Sequence, residues 1–99
     1  MKPVRFLETA RDDVRREKHY YRRISPDLAK QFQHALEIAV KSAATQPLAM
    51  QVIENEIRRW PLNTFPHGVL YRNEDDFILV LAVFHPKQAP ERWQSLPRT

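Results

Sequence analysis

Residues 57–90 read IRRWPLNTFPHGVLYRNEDDFILVLAVFHPKQAP. Inside them FPHGVLYR, residues 65–72, is followed by the polar NEDD of residues 73–76 and then by FILVLAVFH, residues 77–85. A short apolar run, a polar turn and a second run rich in β-branched residues mark a β-hairpin. The second run is apolar at every position from Phe77 to Phe84. Continuous apolarity over that length predicts a strand covered on both faces, in the middle of a sheet. A buried helix is not excluded by length, but Ile78, Val80 and Val83, set between a polar turn and Pro86, favour the strand. Upstream, Ile57 and Arg59 alternate with Arg58 and Trp60, the two-residue period of a further strand, which Pro61-Leu62-Asn63-Thr64 breaks.

Towards the N-terminus the pattern becomes helical. Val4 and Phe6 point to one face of a short extended segment, Pro3 to Leu7. Ala10, Val14, Tyr21 and Ile24 then recur at three- and four-residue spacing, which predicts an amphipathic helix from about Thr9 to Arg23 with Thr9 as its N-cap. Its outer face carries Arg11, Arg15, Arg16, Lys18, Arg22 and Arg23. Ser25-Pro26-Asp27 is a helix start: a capping residue, proline at the first helical position and an acid in the first turn. Leu28, Phe32, Leu36, Ala39 and Ala43 form the stripe of this second helix, which must end before Pro47. So short a break returns the second helix antiparallel to the first. Gln46 to Asn55 reads as a loop, and Glu91 to Leu96 as a single helical turn carrying Trp93.

The element order is therefore strand, two helices, then three strands. It predicts a single α+β domain over residues 1–99, with an N-terminal strand and an antiparallel two-helix hairpin packed on a small, mainly antiparallel sheet. The second sheet face is left for solvent or a partner. With no cysteine in 99 residues, disulfides, thiolate catalysis and cysteine-based zinc sites are excluded. The four histidines lack ligand spacing, so neither metal nor cofactor is expected. No stretch approaches the roughly eighteen apolar residues of a membrane span, and the N-terminus lacks the apolar centre of a signal peptide, so a cytoplasmic location is expected. The formal charge of +4 favours anionic partners, among them nucleic acid, the ribosome and acidic protein segments.

VRFLETARDDVRREKHYY at residues 4–21, SPDLAKQF at 25–32, and the series IRRW, FPHGVLYR, ILVLAVFH and Trp93 occur in an order that resembles the RelE/ParE superfamily of bacterial type II toxin–antitoxin toxins, which includes plasmid-stabilisation proteins. The resemblance covers nearly the whole chain. It implies a helical hairpin on a small antiparallel sheet and a cognate antitoxin, acidic and partly disordered, that folds on binding. It also implies one of two targets. RelE-like members cut messenger RNA on the ribosome; ParE-like members poison DNA gyrase and are not nucleases.

Metal-free RNA cleavage needs a base for the 2′-hydroxyl, a cation at the phosphate and an acid for the leaving oxygen. If the chain is RelE-like, its candidates are Arg58, Arg59, Arg72, His85 and Lys87. An arginine often found in that branch three residues before the strand tyrosine falls here on Gly68, which removes one phosphate clamp, and there is no tyrosine near the C-terminus. Both departures favour the ParE-like branch by a small margin. Candidates for partner binding are Arg58, Arg72 and Trp93. Each also has a structural reading: His85 as a strand-end cap, Arg58 or Arg59 as solvated strand arginines, Trp93 as packing. His67, beside Gly68, reads as a turn residue, His19 and His34 as surface residues, and one ring of Tyr20-Tyr21 as core. The basic face of the first helix reads as a solvated face or as a nucleic-acid footprint.

Overall fold

The apolar run 78–84 does become an interior strand, with all seven of its residues buried. The computed structural model describes residues 1–87. Its elements are β1 (Val4–Phe6), α1 (Glu8–Ile24), α2 (Pro26–Thr45), β2 (Val52–Glu54), β3 (Ile57–Pro61), β4 (Gly68–Asn73) and β5 (Ile78–Phe84). They form one five-stranded sheet in the order β1-β5-β4-β3-β2. β1 runs parallel to β5, and the other three pairings are antiparallel. The fold is the α+β arrangement that the sequence predicts, with both helices on one face.

Alternation assigns each side chain to a face. Val69, Tyr71, Ile78, Val80 and Val83 join Ala10, Phe32, Leu36 and Ala39 in the core under the helices. Ile57, Leu70, Leu79, Leu81, Ala82 and Phe84 form a second buried cluster on the far face, where Leu7 and Phe77 pack against it. The expected open face is therefore largely closed at its centre. Leu70 lies opposite Ala82 whereas Tyr71 lies opposite Val80. Leu81 is thus the extra residue of a β-bulge, and both Leu81 and Ala82 turn to the far face.

The bulge sits where β1 has already ended, so β5 would expose backbone groups there. α1 supplies the partners. Thr9 Oγ1 donates to the Leu81 carbonyl at 2.9 Å, and the Val83 N–H donates to Asp13 Oδ2 at 3.0 Å. Asp13 is completely buried and also receives Arg16 Nη2 at 3.0 Å. This overturns the reading of Thr9 as a cap. The chain enters α1 directly from β1 with Leu7 extended at the N-cap, and the threonine hydroxyl serves the bulge instead.

Two other boundaries also differ. Ser25 alone separates the helices, ending α1 and preceding α2, and its carbonyl accepts from the N–H groups of Leu28 and Ala29. The segment read as a loop contains β2, joined to β3 through Asn55 and Glu56. Both have positive φ, 52° and 65°, as a two-residue hairpin turn of the primed kind requires. Exposed Val52 and Ile53 carry no alternation in burial, and glutamate is a poor signal for positive φ, so the strand left little trace in the sequence. The turn expected at 91–96 and Trp93 lie outside the described residues.

Candidate functional site

The sheet register separates the candidate arginines. Arg58 lies opposite Tyr71 and shares a face with Trp60, on the helix side. Its guanidinium donates to the Met50 carbonyl, while the buried Tyr71 hydroxyl donates to the Pro47 carbonyl at 2.8 Å. Both therefore hold the 46–51 connection, and burial pushes the Tyr71 phenol above its usual range. Arg59 points the other way, opposite Leu70, and Arg72 is its diagonal neighbour on that far face, opposite Ile57. Arg72 pairs with Glu74 at 3.1 Å.

Arg59 explains the glycine. A Cβ built on Gly68 would lie 2.3 Å from Arg59 Nε and 2.7 Å from its Cγ. Gly68 has negative φ, so space rather than backbone freedom is what it provides. Across that space Arg59 reaches the Pro66 carbonyl, with Nη2 donating at 3.1 Å. The guanidinium thus occupies the surface above position 68, where the superfamily resemblance expected an arginine of that position's own.

His85 follows β5, and its ring meets that of His67 edge to face at a centroid distance of 4.8 Å. His85 Nδ1 accepts the Lys87 N–H at 3.0 Å, so Lys87 contributes its backbone here and its side chain is exposed. His67 is no turn residue. It is completely buried among Phe32, Phe65 and Tyr21, with ring centroids at 5.0, 6.4 and 6.2 Å. Neither ring nitrogen has a hydrogen-bond partner among the described residues, and Glu17 Oε2 lies 3.5 Å from Nε2. Burial pushes this imidazole below the ordinary histidine range, Glu17 opposes the shift and His85 adds to it. The signal for this site in the sequence was Phe65 two residues before His67, a period-two pair entering β4. The turn residues Pro61, Asn63 and Thr64 just before it obscured it.

A different surface lies along edge strand β1. Val4, Phe6, Leu36 and Val40 line one concavity of about 330 Å³ there, and Val14 with Phe6 and Leu36 lines its neighbour. Arg11, Arg15 and Lys41 border the two. No group of three or more metal-ligating side chains occurs among the described residues, and no described helix is long and apolar enough to cross a membrane.

The family model described as the ParE toxin of the type II toxin–antitoxin system parDE matches residues 4–90. The chain belongs to the ParE toxin family. A solved chain from the chromosomal ParDE toxin–antitoxin system of P. aeruginosa superimposes with a TM-score of 0.72 at 19% identity, over 86% of this chain and 96% of that one. That likeness concerns the fold. Among curated proteins no sequence matches.

In this ParE-family chain the five residues proposed for RNA cleavage are not brought together. Arg59 and Arg72 share the far face, Arg58 is on the helix side, and His85 joins His67 at the end of β5. The side chains of four of the five already make bonds within the fold. Of the partner-binding candidates, Arg58 and Arg72 lie on opposite faces, and Trp93 is outside the described residues.

Proposed function

We propose that this chain is a growth-inhibiting toxin domain that acts in the cytoplasm on DNA gyrase in the ParE manner, without being an enzyme, and that an acidic antitoxin neutralises it. The observation that carries this reading is the division of the arginine–histidine set. A base, a phosphate clamp and an acid must converge on one phosphodiester to cleave it. Here Arg58 and Arg59 point to opposite faces, and Arg58 is spent on the Met50 carbonyl. The concavities along β1 support the antitoxin. Val4, Phe6, Leu36 and Val40 suit apolar anchors, and Arg11 and Lys41 suit the carboxylates of an acidic segment ordering on contact.

One observation favours RelE-like messenger RNA cleavage as a second reading. Arg59 holds its guanidinium over Gly68, and so stands in for the clamp that the sequence lacks there. Induced expression in a bacterial host, with pulse labelling of DNA and protein synthesis over the first minutes, separates the two. DNA synthesis is expected to stop first, and purified chain is expected to block supercoiling by gyrase. Protein synthesis stopping first, with loss of that effect in Arg59→Ala, would establish the ribosomal reading instead.

A further inference from the structure

The connection between β3 and β4, residues 62–67, is held down at both ends and strained in the middle. Leu62 and His67 are buried, Phe65 is half-buried, and Asn63, Thr64 and Pro66 are exposed. The Leu62 N–H donates to the His67 carbonyl at 3.0 Å, and Arg59 Nη2 donates to the Pro66 carbonyl at 3.1 Å. Thr64 has a φ of 64°. A β-branched residue meets steric resistance in that left-handed region, so the conformation persists only while the flanking anchors hold it.

His67 is the anchor with an opposing demand. Its ring sits in the box of Tyr21, Phe32 and Phe65 as an apolar body, yet neither nitrogen finds a hydrogen bond there among the described residues. Outside the box water bonds both. The groups that face the ring come from three elements. α1 supplies the Tyr21 phenol, Glu17 at 3.5 Å from Nε2, and Arg16, which lies 3.9 Å from the other Glu17 oxygen and 3.0 Å from the buried Asp13. The end of β5 supplies the His85 ring, and α2 supplies the Phe32 ring. Burial weighs against a charged imidazole, Glu17 favours it, and His85 and Arg16 weigh against it again, so the balance keeps the ring neutral.

We propose that residues 62–67 form a proton-operated latch, in which protonation of His67 drives its ring out of the aromatic box and opens the loop while the sheet and both helices stay folded. The neutral ring favours the box and the charged ring favours water, so acid acts on one side of the equilibrium only. Release of the ring also lets Thr64 leave its strained conformation. The open loop exposes an imidazole that titrates near 6.5, and the closed loop takes up the proton less readily. The open population therefore rises by up to about tenfold per pH unit below that value. Opening takes the Pro66 carbonyl away from Arg59, whose guanidinium then stands free on the far face with Arg72 as its diagonal neighbour. The latch depends on the fold alone and holds whichever target the chain has.

The test is native-state hydrogen exchange of the full chain, followed by NMR from neutral to mildly acidic pH. The Leu62 amide reports on the latch, because its acceptor is the His67 carbonyl. Corrected for intrinsic exchange rates, its protection is expected to lie below that of the β5 amides and to be insensitive to low urea. It is also expected to fall by up to about tenfold per pH unit below about 6.5. His67→Phe keeps an aromatic ring in the box and is expected to abolish this pH dependence. Thr64→Asn, at the surface, tolerates the left-handed conformation better and is expected to raise Leu62 protection at every pH with the slope unchanged. Leu62 protection that matches β5 and falls with urea as β5 does would mean that only global unfolding frees the amide, which overturns the proposal. So does a Leu62 profile without pH dependence, one that His67→Phe leaves as it was, or a Thr64→Asn chain with no gain in protection. If His67→Phe does not fold, the unaltered chain and Thr64→Asn decide the matter.

Discussion

The two faces of the sheet contrast in how they treat charge. On the helix side, polar groups are buried outright: Asp13 and His67 are both inaccessible, one bonded to the Val83 N–H and to Arg16 and the other with no hydrogen bond among the described residues. On the far side the buried cluster is wholly aliphatic and aromatic, and cations lie over it or at its margin. Arg5 stacks on Phe77 at 4.3 Å, Arg59 crosses Gly68, and Arg72 pairs with Glu74. The reason is chain length. Arginine can lay its stem on an apolar surface and keep its head at the rim, whereas aspartate and histidine must meet their partners where the backbone puts them. A buried polar residue on the helix side therefore reports a backbone need or a stored cost, and an arginine on the far side reports neither by itself.

Three substitutions bear on that contrast. Asp13→Ala is expected to have the largest effect, a loss of roughly 1–3 kcal/mol in urea unfolding, because it leaves the Val83 N–H of the bulge without an acceptor inside the fold. Asp13→Asn keeps a carbonyl oxygen and is expected to recover part of it. Equal losses for the two would mean that the charge and Arg16 matter more than the bulge.

Gly68→Ala probes the other face and is expected to cost about 1–2 kcal/mol by pushing Arg59 off the Pro66 carbonyl. In an Arg59→Ala background the same change is expected to be close to neutral. A double-mutant cycle measures this coupling, and an additive result would break the assignment of Gly68 to Arg59.

His67 gives the smallest effect near neutral pH. Its folded-state pKa lies below the unfolded value of 6.5, chiefly through burial. The unfolded chain therefore binds more protons as pH falls below about 6.5, so the stability held above that value declines with acidification. His67→Phe is expected to remove this component from thermal melts recorded between pH 8 and 5, and to change stability at pH 8 by no more than about 1 kcal/mol. An unchanged pH profile would place the titration on other groups.

Much of the fold was legible in sequence because its signals are local. The unbroken apolar run 77–84, the Ser25-Pro26-Asp27 start and the period of Phe32, Leu36 and Ala39 each depend on the pleat or pitch of a single element. β2 and the role of Thr9 were not legible, since one rests on positive-φ residues without glycine and the other on a bulge seventy-two positions away.

The candidate site shows the same boundary. Residue types and their order were enough to reach the toxin superfamily and to name the arginines, because composition, charge and element order are properties of the chain itself. Tertiary structure alone decided that Arg72 shares its face with Arg59 and not with Arg58, that His67 is interior, and that Gly68 makes room for Arg59. Those are relations between residues of different elements, set by strand register and by the bulge at Leu81, where a shift of one residue moves a side chain to the opposite face.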